Sequence, residues 1–179
     1  MYSLNNFSLD FKIQNIYILF DGNNIAISRK DKKIIALSKR LKNIQKRSQT
    51  LIYEYINVIP LIFVDHGLQR IIDDKSWLNQ QLANWNIFQC EKGYKADDYL
   101  IGFLKILPFQ VIIVSNDKFR EYTIPQILES WDWRLEPITR GTSVYIPRLR
   151  KRIENMLSIL NLIEQLSNSK TLVEEVYSL

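Results

Sequence analysis

The sequence predicts an α/β protein built on a central, mainly parallel sheet, and three observations carry this prediction. Short apolar runs such as VIPLIFV recur along the 179-residue chain, without the alternation of polar residues that a solvated strand would show. Segments with apolar residues at helical spacing separate these runs. Hydrophobic residues make up 46% of the chain, which is ample for a packed core. Continuous apolar strands that alternate with helices are typical of parallel sheets buried on both faces.

Four apolar runs are predicted as the main strands. They are Ile16–Phe20, Val58–Val64, Ile87–Gln89 and Val111–Ser115. A late strand is predicted at either Trp133–Pro137 or Ser143–Ile146.

Helices are predicted between the strands. The long basic stretch after the first strand predicts one extended helix, or two helices broken near Ser48. One apolar stripe comprises Ile34, Leu37, Leu41 and Ile44, and a second comprises Tyr99, Phe103 and Leu107.

The last segment, Leu149 to Tyr177, predicts an amphipathic helix. Its apolar face comprises Ile153, Leu157, Leu160, Ile163 and Leu166. We therefore expect a domain over residues 1–147 and a basic, amphipathic helix over 148–179. This helix either packs on the domain or mediates assembly, for example into a homo-oligomer.

Composition narrows the chemistry. The single cysteine and the single histidine exclude a zinc site of the usual His/Cys kind, so carboxylates would have to bind any metal. The net charge of +5 suits an anionic partner. No signal peptide or run of eighteen apolar residues is visible, so we expect a cytoplasmic protein that does not engage a membrane.

Acidic residues follow three separate segments of the predicted sheet. Asp21 ends the first strand, Asp117 ends the Val111–Ser115 strand with Glu121 one turn later, and Asp97 and Asp98 open a helix. Ligands of open parallel sheets bind beyond the carboxyl ends of the strands. Like charges gathered there repel each other unless a cation neutralises them, so the pattern predicts a divalent-metal site.

Each acid also has an ordinary structural interpretation. Asp97 could interact with a helix dipole, Asp117 could cap a helix, and Asp21 could belong to a turn. Asp65 also follows a strand, but we favour a non-functional role for it. His66 is interpreted as a loop residue rather than a catalytic base.

Four stretches together resemble the PIN-like ribonucleases of the NYN family, closest to the Regnase (MCPIP) type. They are FDGNNIAIS, FVDHGLQRIIDDKSWL, KGYKADDYLIGFL and VIIVSNDKFREY. The resemblance spans roughly residues 14–147 and implies a three-layer sandwich. Glu121 is a conservative departure from that pattern. The zinc finger usually joined to the Regnase type has no counterpart here, nor does the C-terminal helix in the motif set.

The resemblance implies a metal-dependent endoribonuclease that leaves 5′-phosphate and 3′-hydroxyl ends, in RNA processing or decay. The implied catalytic residues are Asp21, Asn24, Asp97, Asp98, Asp117 and Glu121. Of these, Asp21, Asp97, Asp98 and Asp117 would hold Mg²⁺ or Mn²⁺, while Ser115 and Asn116 would support them. A metal-free ribonuclease would need an acid–base pair that one histidine does not supply.

RNA would need positive charge beside this acidic site. The candidate RNA-binding residues are Lys92, Lys95, Arg29, Lys30, Arg40, Arg120 and Arg140. Solvated basic helix faces remain the ordinary alternative for such clusters.

Three other functions were weighed. A haloacid dehalogenase-type phosphatase needs a second acid two residues after Asp21, where this chain has Asn23. A flap-type DNA nuclease would need DNA-binding additions that the short chain lacks. A non-catalytic RNA-binding or assembly protein that retains the fold is the main alternative.

Overall fold

The computed structural model of the protein describes residues 15–30, 33–55, 57–124, 128 and 132–177. For residues 29, 30, 33 and 166–177 it describes the backbone alone. The side chain of Leu166, predicted on the apolar face of the last helix, is therefore outside the described part.

A five-stranded sheet in which every neighbouring pair is parallel forms the centre of the protein. Its strands are β1 (Ile16–Asp21), β4 (Val58–Val64), β5 (Phe88–Gln89), β6 (Val111–Val114) and β7 (Arg134–Leu135), in the spatial order β5-β4-β1-β6-β7. All four β6 residues are buried, as their continuous apolar character predicts for a strand covered on both faces. The predicted parallel α/β architecture is confirmed.

Helices cover both faces of the sheet and complete three layers. They are α1 (Gly22–Ala26), α2 (Ser38–Glu54), α3 (Leu68–Ile71), α4 (Lys75–Ala83), α5 (Ala96–Ile106) and α6 (Leu149–Tyr177). Successive β1 residues point to opposite faces, so Ile18 and Phe20 join one core cluster and Leu19 the other. The first cluster includes residues of α2 and α6, and the second includes residues of α5.

The region after β1 differs from the predicted helix. After the short α1, β2 (Ile27–Lys30) and β3 (Lys33–Ala36) pair as a hairpin, and α2 begins only at Ser38. Ile34, predicted on a helical stripe, lies in β3, whereas Leu41 and Ile44 are buried on α2 as expected. β-Branched Ile27, Ile34 and Ile35 favour strand, and antiparallel pairing satisfies the backbone groups of this segment. Once begun, α2 continues unbroken past Ser48.

Both predicted late strands form, in different sheets. Arg134 and Leu135 pair with β6 as the edge strand β7. A separate hairpin contains β8 (Ile138–Arg140) and β9 (Ser143–Tyr145), so the second predicted segment is outside the central sheet.

Arg40 joins this second hairpin to the region beside β1. Its side chain is only 6% exposed. Its guanidinium donates hydrogen bonds to the carbonyls of Gly141 (2.8 Å), Ile25 (3.2 Å) and Ile27 (2.8 Å). These three bonds give Arg40 a structural role, and its predicted RNA-binding role stays a prediction.

The first half of α6 packs against the sheet. Ile153, Met156 and Leu160 are buried in the core cluster that contains β1, while Leu157 and Ile163 are partly buried. The division of the chain at residue 147 and a role of α6 in assembly stay predictions. No helix within the described ranges combines the length and the apolar character needed to cross a membrane.

We expect Arg40→Gln to destabilise the protein by about 2–3 kcal/mol, because shortening the side chain leaves buried carbonyls without their charged donor. Urea unfolding would measure this loss. Lys39→Gln, at the exposed neighbouring position, is the matched control and should change stability by less than about 0.5 kcal/mol. A variant of normal stability but weakened RNA binding would contradict the structural role and support the predicted RNA-binding role of Arg40.

Candidate active site

Asp21 lies buried at the carboxyl end of the central strand, with 4% of its surface exposed. Its Oδ1 accepts a hydrogen bond from the backbone N–H of Asn24 (3.0 Å), so Asp21 also caps α1. Its Oδ2 accepts one from the Ser115 hydroxyl (2.7 Å). Gly22 follows because β4 passes so close that an added Cβ would lie 2.7 Å from the carbonyl oxygen of Phe63. This close approach of β4 explains why glycine follows Asp21.

Ser115 connects the ends of β1 and β6. Besides donating to Asp21, its Oγ accepts a hydrogen bond from the backbone N–H of Asp117 (3.0 Å). Asn24 adds a second connection, since its Oδ1 accepts a bond from the backbone N–H of Asn116 (3.0 Å). The Asn116 contact thus uses the main chain, and the residue is exposed. Two polar contacts hold the Ser-Asn-Asp turn against the Asp-Gly-x-Asn turn.

Asp117, at the end of β6, does not cap a helix, which was the structural role considered for it. Its Oδ1 accepts a hydrogen bond from the backbone N–H of Phe119 (2.7 Å), which closes a local turn. No regular helix follows at residues 118–124. Glu121, four residues after Asp117, is exposed.

The two adjacent aspartates at the start of α5 have different surroundings. Asp98 uses both carboxylate oxygens: Oδ2 accepts from the backbone N–H of Lys95 (2.8 Å) and Oδ1 from the Tyr122 hydroxyl (2.7 Å). These bonds hold the pKa of Asp98 below its usual value. Asp97 is also partly buried, but four other acids of this edge act on it. The predicted catalytic and metal-binding roles of both aspartates stay predictions.

Asp65 and Asn23 form a connection that our sequence interpretation missed. The Asn23 amide donates to Asp65 Oδ2 (2.7 Å), and Asn23 Oδ1 accepts from the backbone N–H of Asp65 (2.9 Å). Asp65 Oδ1 also accepts from the backbone N–H of Ala96 (2.6 Å). The end of β4 is thereby attached to both the turn after β1 and the start of α5. Asp65 positions Asp97 by fixing the residue directly before it.

Burial and neighbouring carboxylates together raise the pKa values of two acids at this edge of the sheet. Burial, reinforced by Asp65 and Asp117, raises the pKa of Asp21 to about 6, although the bonds from Asn24 and Ser115 oppose the rise. Burial also raises the pKa of Asp97 to about 7, and four neighbouring carboxylates add to it. Those neighbours are Asp21, Asp117, Asp65 and Glu121. The acids predicted from separate segments therefore act on each other in the folded protein.

The chemistry of this donor set suits a hard divalent cation. Carboxylate oxygens are the ligands that Mg²⁺ and Mn²⁺ prefer, and positive charge would favour the ionised forms of Asp21 and Asp97, which burial and the neighbouring acids oppose. Among the side chains that the structure describes, no three from Asp, Glu, His and Cys are already grouped closely enough to hold an ion. The fit therefore rests on donor type and charge.

The basic candidates are distributed around the domain. Lys92, Lys95, Arg120 and Arg140 are exposed, and the first two lie in the segment that leads into α5. Arg29 and Lys30 belong to β2, but their side chains lie outside the described part. Cys90 is buried, and burial raises its thiol pKa to about 12, so it stays protonated near neutral pH.

Comparison with known proteins bears on the fold. The sequence matches no protein-family model and no curated protein. Two solved structures of the nuclear protein-only RNase P 2 (PRORP2) of Arabidopsis thaliana are similar to this chain, each with a TM-score of 0.50. Their sequence identities to it are 17% and 14%.

These similarities cover 75% of this chain but only 30% of the PRORP2 chain. At such identities the likeness shows the fold alone, and it agrees with the predicted α/β architecture with a central, mainly parallel sheet. It gives no support to the closer, Regnase-type assignment.

Removing the Asp97 charge should stabilise the metal-free protein at high pH. The folded protein holds this proton up to about pH 7, whereas an unfolded aspartate loses it near 3.8. Because the folded state binds more protons in that window, stability falls as pH rises from about 4 to 7. We expect Asp97→Asn to exceed wild type by about 1–2 kcal/mol at pH 8, a value reduced for solvent screening of this half-exposed group, and to match it near pH 4.

Urea unfolding in EDTA at both pH values is the measurement, with Glu164→Gln, an exposed acid on α6, as the control. An Asp97→Asn difference that does not change between pH 4 and pH 8 would contradict the assigned repulsion.

Proposed function

We propose that this protein is a metal-dependent endoribonuclease that hydrolyses RNA to 5′-phosphate and 3′-hydroxyl ends. The observation that carries the proposal is the meeting of Asp21, Asp97 and Asp117, from three distant segments, at one edge of the sheet: Asp117 adds to the raised pKa of Asp21, and both add to that of Asp97. The PIN-like fold and the naming of both PRORP2 structures as RNase P support RNA as the substrate class. Motif resemblance alone supports the Regnase type.

Mg²⁺ or Mn²⁺ would be held by Asp21, Asp97 and Asp117. Mg²⁺ in proteins usually takes one or two carboxylates and completes its shell with water and substrate phosphate oxygens, so a set of three touching ligands is not required. When bound, such an ion lowers the pKa of a water molecule and stabilises charge on the phosphate.

The residues of the chain would supply positioning. Ser115 and the backbone of Asn24 orient the two oxygens of Asp21. The Asn23–Asp65 pair fixes the start of α5 and with it Asp97. Because hydrolysis depends strongly on the placement of the reacting groups, these contacts would contribute to rate without touching the substrate.

The exposed cations beside the acids would contact the RNA backbone. Lys92 and Lys95 lie in the segment that precedes Asp97, and Arg120 lies beside Glu121. Their charge would offset the repulsion between the acidic site and the phosphates. Glu121 is placed at the margin of the site, where it adds to the negative charge that Asp97 experiences.

The direct test incubates end-labelled single-stranded and structured RNA with the protein in Mn²⁺ or in EDTA. We expect internal cleavage in Mn²⁺ only, and a loss of at least about 100-fold in Asp21→Asn and Asp97→Asn, because each removes charge from the site. Glu164→Gln should cleave as wild type does. Cleavage that persists in EDTA or in both site variants would refute the metal site, and binding without cleavage would favour the non-catalytic RNA-binding alternative.

The double aspartate offers a sharper test within one motif. We expect Asp97→Asn to lower kcat by about 100-fold and Asp98→Asn by less than about 10-fold, since Asp21 and Asp117 act on Asp97 whereas Lys95 and Tyr122 act on Asp98. Tyr122→Phe, which removes the donor to one Asp98 oxygen, should likewise lower kcat by less than about 10-fold. Equal large losses in Asp97→Asn and Asp98→Asn would show that both carboxylates act directly.

A further inference from the structure

A cationic groove lies away from the acidic edge, between α2, β9 and the start of α6. Its volume is about 460 Å³, within the range of ligand-binding clefts. Arg47, Arg148 and Lys151 line it together with Tyr145. All four are exposed, and Tyr145 has 55% of its surface accessible. Nothing in the proposed cleavage chemistry uses this groove.

The course of α2 separates the groove from the acids. Arg40, near the start of α2, contacts the carbonyl of Ile25 in the helix that follows Asp21. Arg47 lies seven residues further on, about 10 Å along the helix axis. The end of α2 reaches the opposite edge of the sheet, where Val58 begins β4 and pairs with the first residue of β1. The groove therefore lies on one side of the domain, towards the amino ends of the strands.

The backbone of Arg148 adds an independent observation. Its φ is +62°, in the left-handed region that a non-glycine residue adopts at a cost. Arg148 precedes the first turn of α6, and its carbonyl accepts a hydrogen bond from the Arg152 N–H (2.9 Å). A glycine would take this conformation more easily. The chain instead places a long cation there, on the rim of the groove.

The adjoining face of the second hairpin extends the groove towards the carboxyl edge. Ile138 pairs with Tyr145 and Arg140 with Ser143, and all four are exposed on the same face of the hairpin. A second concavity is lined by these four residues, so Tyr145 borders both concavities. The two concavities together run from Arg140, past the exposed ring of Tyr145, to the three cations of the groove.

We propose that this groove binds the phosphate backbone of single-stranded RNA, with one base stacked on Tyr145, at a distance from the bond that is cut. Cations distributed over two helices match a polymer of phosphates, and aromatic rings provide stacking surfaces for unpaired bases. The proposal rests on the proposed ribonuclease function for its choice of RNA. It makes the groove a docking site that holds the strand on one side of the cleavage position.

The test measures binding separately from cleavage, by fluorescence anisotropy of a labelled 12-nucleotide single-stranded RNA in EDTA. The groove variant combines Arg47→Gln, Arg148→Gly and Lys151→Gln. The matched control combines Lys39→Gln, Lys75→Gln and Lys105→Gln, which remove the same charge at exposed positions elsewhere. We expect the groove variant to bind at least about 10-fold more weakly, with its salt dependence reduced by about 2 in slope, because about 0.7 is lost for each single-strand phosphate contact.

Two further readouts separate a binding role from a structural one. Arg148→Gly alone should keep or raise Tm, because it relieves the backbone, while weakening RNA binding. Tyr145→Leu should weaken binding without reducing its salt slope. In Mn²⁺, the groove variant should lose activity on the 12-mer but cut a trinucleotide, too short to reach the groove, as wild type does.

RNA affinity that is unchanged in the groove variant, or equally reduced in the control, would overturn the proposal. So would a wild-type protein with no affinity for the 12-mer. Groove-dependent binding without cleavage in Mn²⁺ would instead uphold the groove and refute the proposed nuclease, so the two failures are distinguishable.

Discussion

The burial of one carboxylate at the tip of the central strand is the constraint on which the functional edge depends. Asp21 is removed from water and surrounded by other acids, a costly arrangement that is accepted because two hydrogen bonds fix its oxygens. The donors come from the turn after β1 and from the end of β6. Stabilising this one charge therefore also aligns two neighbouring strand ends. Gly22 completes the arrangement, since a side chain there would push β4 away.

The remaining hydrogen bonds at this edge align β4 and α5 with the end of β1. Asn23 and Asp65 pair through two hydrogen bonds, and Asp65 also holds the first N–H of α5. None of these groups needs to meet a substrate. They determine instead where Asp97 lies, so the site combines a few free carboxylates with neighbours whose bonding capacity is already used.

The sequence was informative where physical rules act locally or through the sheet as a whole. Continuous apolar runs predicted the parallel strands, and the rule about their carboxyl ends brought Asp21, Asp97 and Asp117 together. The sequence was misleading where pairing between two segments determines the secondary structure. The hairpin at 27–36 forms because its two strands pair with each other, although the basic residues that follow have helical character.

Three residues show why the rest of the site could not be foreseen. Arg40 looked like one more surface cation, because only a chain folded through residue 141 supplies the carbonyl that it binds. The sequence does not distinguish Asp98 from Asp97, because the Tyr122 hydroxyl that donates a hydrogen bond to Asp98 is 24 positions away. Asp65 was undervalued because its partner Asn23 is 42 positions away. The two consecutive asparagines of the FDGNN segment were the feature of the sequence that could have indicated these bonds, since amide side chains after a strand can hydrogen-bond to distant segments.

The long span of the Asp21–Ser115 hydrogen bond has a consequence for the timing of activity. Its two residues are 94 positions apart, and β6 is inserted beside β1 only after β4 and α5 have been made. Contacts of such sequence separation form late, because the intervening chain must first be ordered. During synthesis, the first hundred residues can emerge from the ribosome without an assembled acidic centre. Under the proposed function, the growing chain would therefore lack its acidic centre while messenger and ribosomal RNA lie beside it.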